Sequence, residues 1–419
     1  MHSFQYKGTS LFCENISVSE IAHEINTPFY LYSYQTLCNH YDAFDIPLKP
    51  IPHLICYSMK ANSNLAVLKT FLKKGSGLDI VSGGELYRAI KVGADPEKIV
   101  YSGIGKKKEE IQYALKIGIL MFNVESEQEL YLINEIANSF GVIAPISIRV
   151  NPDIDPHTHP YISTGLKKNK FGVDIDNALE LYKIAKNMDY IKIIGVDYHI
   201  GSQLIEMDPF INALEKVKSF VKKLESLEIN IKYLDLGGGL GITYEDEEPP
   251  HPKEYANKII KLIKDIDCLI IFEPGRVLVG NAGILVSKVL YIKKKENKTF
   301  IIIDAAMNDL IRPSLYQAYH KIIPINNNYK EVLKADIVGP VCESGDFIAL
   351  DREVPKLNQG DLIAIMGTGA YGFTMSSNYN SRPRIPEVMV NGDEYFIIRS
   401  RETYNDLIRG ENIPQFLLD

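Results

Sequence analysis

The sequence has no excess of basic residues, no paired cysteines and no long apolar run, and each absence narrows what the chain can be. Lys and Arg total 46 against 53 Asp and Glu, a formal charge of −7. That balance gives no support for nucleic-acid binding. The clusters Lys106-Lys107-Lys108 and Lys293-Lys294-Lys295 read as solvated helix or hairpin faces. The cysteines (Cys13, Cys38, Cys56, Cys268, Cys342) number five, are widely spaced and form no CxxC pair. This usage fits a reducing compartment and predicts neither disulfides nor a structural zinc. No segment approaches the ~20 apolar residues of a membrane span. Met1–Lys7 shows no apolar core followed by a small-residue cleavage site, so the chain reads as a soluble cytoplasmic protein with no membrane partner. Internal repeats and low-complexity segments are also missing.

What is present is 419 residues, 46% of them hydrophobic, enough for one large domain and a smaller one. Short apolar runs lie at 53–58, 78–81, 99–102, 120–124, 146–150, 193–198, 233–236 and 268–273. Segments of helical period fall between most of them, at 64–74, 83–93, 107–117, 126–140, 175–188, 208–228 and 252–265. This alternation predicts an α/β fold with a (β/α)8 barrel, although a doubly wound open sheet has the same rhythm. The barrel is favoured by where polar residues and glycines collect. Lys60, Asp79, Ser102, Asn123, Asn151, His199, the glycines 237–239 and Glu273 each stand at or just past the end of a successive run.

One connection, Asn151 to Gly172, is unusually long and carries Pro152, Pro156, Pro160 and Gly165. Its length suggests a lid or a contact surface. His157-x-His159 within it lacks a further ligand set, so no metal site is expected. The first ~30 residues read as strand-like or irregular. Beyond residue 276 the runs 284–292, 299–303, 361–366 and 387–390 predict a second, mostly β domain of barrel or sandwich type. The expected division is a barrel over 31–275 and a discontinuous β domain over 1–30 and 276–419.

Four stretches carry candidate chemistry. His53-Leu-Ile-Cys-Tyr-Ser-Met-Lys60 is a buried-strand pattern that stops at a lysine, which can attack a carbonyl such as the aldehyde of pyridoxal phosphate. Asp235-Leu-Gly237-Gly238-Gly239 follows strand seven, where barrels hold phosphate, though a tight glycine turn would look the same. Glu273-Pro274-Gly275-Arg276 closes strand eight, and a carboxylate there would keep a pyridine nitrogen protonated. His199 can stack on a planar ring or serve structure alone.

Together, Tyr57-Ser-Met-Lys60-Ala-Asn62, Leu78-Asp-Ile-Val-Ser-Gly-Gly-Glu85-Leu86, His199-Ile-Gly-Ser202-Gln203, Gly237-Gly-Gly239, Glu273-Pro-Gly-Arg276, Cys342-Glu-Ser-Gly-Asp346 and Ser377-Asn-Tyr-Asn-Ser-Arg-Pro-Arg384 resemble the diaminopimelate decarboxylases. That family consists of pyridoxal-phosphate enzymes built from a barrel and a β domain, and the likeness spans nearly the whole chain in the family's order. The resemblance implies decarboxylation of meso-2,6-diaminopimelate to L-lysine, the last step of bacterial lysine biosynthesis.

It makes Lys60 the Schiff-base lysine, His199 the ring-stacking residue and Glu273 the partner of the pyridinium. Asp79, Ser202, Gly238, Gly239, Pro274, Gly275, Arg276 and Tyr371 are implied at the cofactor. Arg276, Arg312 and Tyr316 would grip the far carboxylate, with Tyr371 also near the substrate, and Glu343 would pair with the far ammonium. Cys342 is implied as the proton donor to Cα. Cys342 and Glu343 come from the neighbouring subunit in that family, so a homodimer with shared sites is expected. Ser58 and Met59 depart from the alanine and aliphatic residue common in relatives, with no expected change in chemistry.

The nearest alternative is an ornithine or arginine decarboxylase of the same fold, whose substrates lack a far carboxylate. An alanine-racemase-like reading fails at Glu273, because that family places an arginine by the ring nitrogen. A non-catalytic, regulatory homologue would usually lose Lys60 or Cys342, and both are present.

Overall fold

The structure, a computed structural model, describes residues 2–155 and 169–418. The chain divides into two compact units, residues 37–279 and residues 1–36 with 280–419. In the first unit eight strands form a closed parallel barrel: β1 (His53–Ser58), β2 (Gly77–Ile80), β3 (Ile99–Tyr101), β4 (Met121–Val124), β5 (Ala144–Asn151), β6 (Ile191–Asp197), β7 (Tyr233–Asp235) and β8 (Leu269–Phe272). Closure is made by β8 pairing with β1 and by β4 pairing with β5, both parallel. The open-sheet alternative is thereby excluded.

Each strand holds its place because its residues are buried on both faces, as parallel strands require. Cys56, Val100, Met121, Ile194 and Ile271, from β1, β3, β4, β6 and β8, meet in one buried cluster. The intervening helices start where short polar residues cap them. Ser82 Oγ accepts from the Glu85 N–H at 3.2 Å, while the Glu85 carboxylate turns back to the Val81 N–H at 2.7 Å. Ser126 and Glu129 repeat this arrangement, with Glu129 accepting from the Glu125 N–H at 3.0 Å. Such caps satisfy donors that the first helical turn leaves unpaired.

The second unit is built on a nine-stranded sheet in which Gly283–Lys295 is central. That strand pairs with Lys298–Ile303, Leu362–Ile365 and Phe29–Ser33, all antiparallel. The pairing with Phe29–Ser33 keeps residues just after 30 with this sheet, and the short helix Arg276–Val279 lies in the barrel unit. The N-terminal stretch also contains a helix, Val18–Ile25, which buries Val18, Ile21 and Ala22. Its apolar spacing of three and four is helical, so the irregular reading of that stretch is corrected.

The Lys293–Lys295 cluster is an exposed hairpin face. Lys106 is different: its side chain is buried, and Nζ donates to Gly103 O (2.8 Å), Asn123 O (2.8 Å) and Glu129 (2.6 Å). The expectation of a solvated Lys106 is therefore wrong, because three acceptors from separate segments converge on it and replace its water. Pro156, His157, His159, Pro160 and Gly165 of the long connection lie outside the described residues.

Candidate active site

Polar residues stand at the carboxyl ends of the eight strands, the end at which barrel enzymes place their chemistry. Lys60 follows β1, and its Nζ lies 2.7 Å from Asp79 Oδ2 on the neighbouring strand β2. Asp79 is fully buried, and its Oδ2 also accepts from Ser58 Oγ. The carboxylate thus fixes the end of a long, flexible side chain whose amine remains partly exposed.

The turn after β7 is shaped by its neighbours. Asp235 Oδ1 accepts from the Gly237 N–H at 2.9 Å, and the Glu273 N–H donates to Gly237 O at 2.8 Å. A Cβ on Gly238 would lie 2.2 Å from the Glu273 carbonyl oxygen, so no side chain fits there. The Gly238 N–H donates to His199 Nδ1 at 3.0 Å. That bond makes Nδ1 the acceptor and places the proton of the neutral imidazole on Nε2. Burial, reinforced by the charges of Arg149 and Lys60, holds the His199 pKa well below its ordinary value.

Glu273 is 5% exposed, with Ser102 Oγ 3.4 Å from its Oε1. Carboxylate oxygens of Asp197, Asp235 and Glu273 lie within 4.8 Å of one another. Burial pushes the Glu273 carboxyl well above the usual range, and the charges of Asp235, Asp79 and Asp197 add to this. Asp235 is raised to about 6, chiefly by burial. A cationic ring nitrogen placed against this group would relieve like-charge repulsion.

Arg276 opens the short helix after β8 and is 5% exposed. Its Nη1 donates to the Tyr244 hydroxyl at 2.7 Å and its Nη2 to Ser202 Oγ at 3.0 Å. Arg149 is likewise buried, 3.2 Å from Glu125 and 3.9 Å from Asp197. Pro274 O accepts from the Ser58 N–H at 3.1 Å, and Gly275 packs against Ala61 and Ser58. This unit therefore gathers Lys60, Asp79, His199, Ser202, Gly238, Gly239, Glu273, Pro274, Gly275 and Arg276 around one mouth. Tyr244, Arg149, Asp235 and the Ser102–Asn123 pair are additional members. A strand-end position marked the last pair in sequence, whereas Tyr244 and Arg149 had no local signal.

Arg312, Tyr316, Cys342, Glu343 and Tyr371 belong to the sheet unit. Arg312 is 5% exposed, its Nε donates to His320 Nε2 at 3.3 Å, and its guanidinium lies 6.0 Å from the Tyr316 ring centroid. His320 in turn donates from Nδ1 to Met366 O at 2.9 Å, so it is a neutral, fixed prop that the sequence did not reveal. Cys342 and Glu343 are exposed on the chain. The Cys342 N–H donates to Asn380 Oδ1 at 2.8 Å. Ser314 Oγ donates to Gly345 O at 2.6 Å, which joins the helix of Arg312 and Tyr316 to the loop of Cys342 and Glu343. Tyr371 is partly exposed and adopts a left-handed backbone conformation, φ 55°.

An amine, a buried carboxylate and a glycine turn open to close backbone approach can receive a planar, anionic aldehyde cofactor. Comparison with known proteins agrees. The family model described as pyridoxal-dependent decarboxylase, pyridoxal-binding domain, matches residues 35–280. The chain is 51% identical to a diaminopimelate decarboxylase of Haemophilus influenzae, over 97% of this chain and 98% of that protein. It is 49% identical to the enzyme of that name from Vibrio cholerae, over 99% of each chain. The crystal structure of diaminopimelate decarboxylase from Helicobacter pylori complexed with L-lysine superposes with a TM-score of 0.91 at 47% identity, covering 93% of this chain and 98% of that one.

Proposed function

The chain belongs to the diaminopimelate decarboxylases within the pyridoxal-dependent decarboxylase family, and we infer that it converts meso-2,6-diaminopimelate to L-lysine and carbon dioxide. It is a carboxy-lyase. The observation that carries this reading is Lys60 held 2.7 Å from buried Asp79 in the same barrel mouth as buried Glu273.

The residues present fit pyridoxal 5'-phosphate. Lys60 offers the amine that bonds its aldehyde, and Asp79 keeps that amine in place. Glu273 would hold a proton at the ring nitrogen, and neutral His199 would pack on the ring. Gly238, through its missing side chain, lets the turn approach the phosphate, while Gly239, Pro274, Gly275 and Arg276 supply the surrounding backbone. Ser202 and Tyr371 add hydroxyls. When bound, the cofactor supplies the electron sink for the pair left at Cα when carbon dioxide departs.

Arg276, Arg312 and Tyr316 bind the far carboxylate, because a guanidinium matches a carboxylate with two parallel bonds. Glu343 recognises the far ammonium, and the Cys342 thiol delivers the proton to Cα. Both residues are exposed on a single chain, which suits their service to a neighbouring copy. The working form is accordingly a cytoplasmic homodimer with shared sites. A monomer with full activity in sedimentation would contradict it.

The deciding experiment offers the purified, pyridoxal-phosphate-loaded protein meso-diaminopimelate, ornithine and arginine in parallel. Lysine and carbon dioxide from the first alone is the expected result. Turnover of ornithine or arginine instead would overturn the roles of Arg312 and Glu343.

A further inference from the structure

We propose that Asn123 is a positioning residue that directs a hydrogen-bond relay from Ser147 through Ser102 onto Glu273, preparing that carboxylate for a cationic ring nitrogen. The inference rests on the cofactor reading above. Ser147 Oγ donates to Asn123 Oδ1 at 2.5 Å, and Asn123 Nδ2 donates to Ser102 Oγ at 3.1 Å. Ser102 Oγ then reaches Glu273 Oε1 at 3.4 Å. That last link is long, as bonds to a reactive carboxylate are before a ligand draws it into place. Ser147 and Asn123 lie on β5 and β4, Ser102 and Glu273 directly follow β3 and β8, and none exceeds 5% exposure. Buried polar groups persist in a barrel interior because they satisfy one another.

The amide gives the relay its direction. One end of an amide accepts and the other donates. With Oδ1 toward Ser147 and Nδ2 toward Ser102, the Ser102 hydroxyl receives a proton from Asn123 and is left with its own to offer Glu273. Turning the amide over would draw the Ser102 proton to Oδ1 and away from Glu273. One neighbour opposes that flip: the Asp235 carboxylate is stabilised by the Asn123 side chain, which only the NH2 end can do.

The consequence is electrostatic. Burial and the neighbouring Asp235, Asp79 and Asp197 favour a neutral Glu273, with Lys60 acting in the opposite sense. A hydroxyl donated to one carboxylate oxygen favours the ionised form. It also commits Oε1 to Ser102, so that the other oxygen would be the one to meet a ring nitrogen. The backbone alone cannot do this, because Glu273 must be ionised in a place that disfavours charge.

The test titrates cofactor-free protein with pyridoxal phosphate, following visible absorbance, for Ser102→Ala, Asn123→Ala, Glu273→Gln and the double variant Ser102→Ala/Glu273→Gln. Each of the first two should raise the dissociation constant roughly tenfold, the loss of one bond to a charged acceptor. In the Glu273→Gln background, Ser102→Ala should add no further loss, since its effect passes through the carboxylate. An equal loss in both backgrounds, or none in either, overturns the relay; a merely structural serine would give the former. If Asn123→Ala does not fold, the serine cycle still decides. Wild-type protein that fails to bind pyridoxal phosphate would instead overturn the cofactor reading on which the relay depends.

Discussion

The Asp346 carboxylate accepts from the main-chain N–H of Val341 at 2.7 Å, directly before the loop that carries Cys342 and Glu343. Its other oxygen accepts from the Met307 N–H at 2.7 Å. A Cβ on Gly339 would meet the same carboxylate at 2.5 Å, so the loop wraps the acid closely. One side chain therefore joins two segments that hold the proposed substrate-recognition residues.

Asp346→Ala removes both bonds and loosens that loop. Turnover should fall about a hundredfold, the scale of an ångström-level misplacement at a reacting centre. Stability should drop by about 2–4 kcal/mol, because a buried and a part-buried N–H lose their acceptor. Steady-state kinetics with a thermal melt check both effects, and unchanged turnover would show that the loop is held by other means.

Lys60→Ala should abolish carbon dioxide release while leaving the circular dichroism spectrum intact. The side chain is partly exposed, so its loss opens no core cavity. Near-normal turnover would remove Lys60 from the mechanism.

Arg312→Ala separates substrate recognition from chemistry. The KM for diaminopimelate should rise roughly thirtyfold or more, the cost of truncating one partner of a buried charge pair. Any slow reaction with ornithine, which has no far carboxylate, should be unaffected. An equal loss on both substrates would place Arg312 in the fold rather than at the carboxylate.

Asp235 gives a pH dependence of definite sign. Its pKa is raised to about 6 in the fold, chiefly by burial, against an ordinary value near ~3.9. Between those values the folded protein holds a proton that the unfolded chain has released. This contribution is complete below about pH 4 and is lost as pH rises through about 6. Denaturant midpoints of cofactor-free protein over that window should therefore fall more steeply with pH than those of Asp235→Asn. The difference should reach at most about 3 kcal/mol. A difference of opposite sign would show that Asp235 is ionised throughout.

Much of the architecture follows from patterns local to the chain. Buried strands read as short apolar runs, and helices such as Gly83–Lys91 announce themselves by Ser82 and Glu85 at their start. Lys60, His199, Gly238 and Glu273 were legible because each interrupts an apolar run with a residue that the run itself does not need. The helix Val18–Ile25 is harder to read, because its helical spacing of apolar residues extends over only eight residues.

The sequence by itself determined which residue types stand at the end of each strand and the rhythm that closes the barrel. Tertiary structure alone decided their partners. Ser102 and Glu273 are 171 residues apart, and Lys60 and Asp79 are 19 apart, yet each pair meets. Lys106 looked like one member of a solvated basic cluster until three acceptors from different segments enclosed it. The physical reason is closure: a parallel barrel turns residues spread along the chain into neighbours around a ring. Burial at that ring then requires each polar group to find a partner that no local pattern reveals.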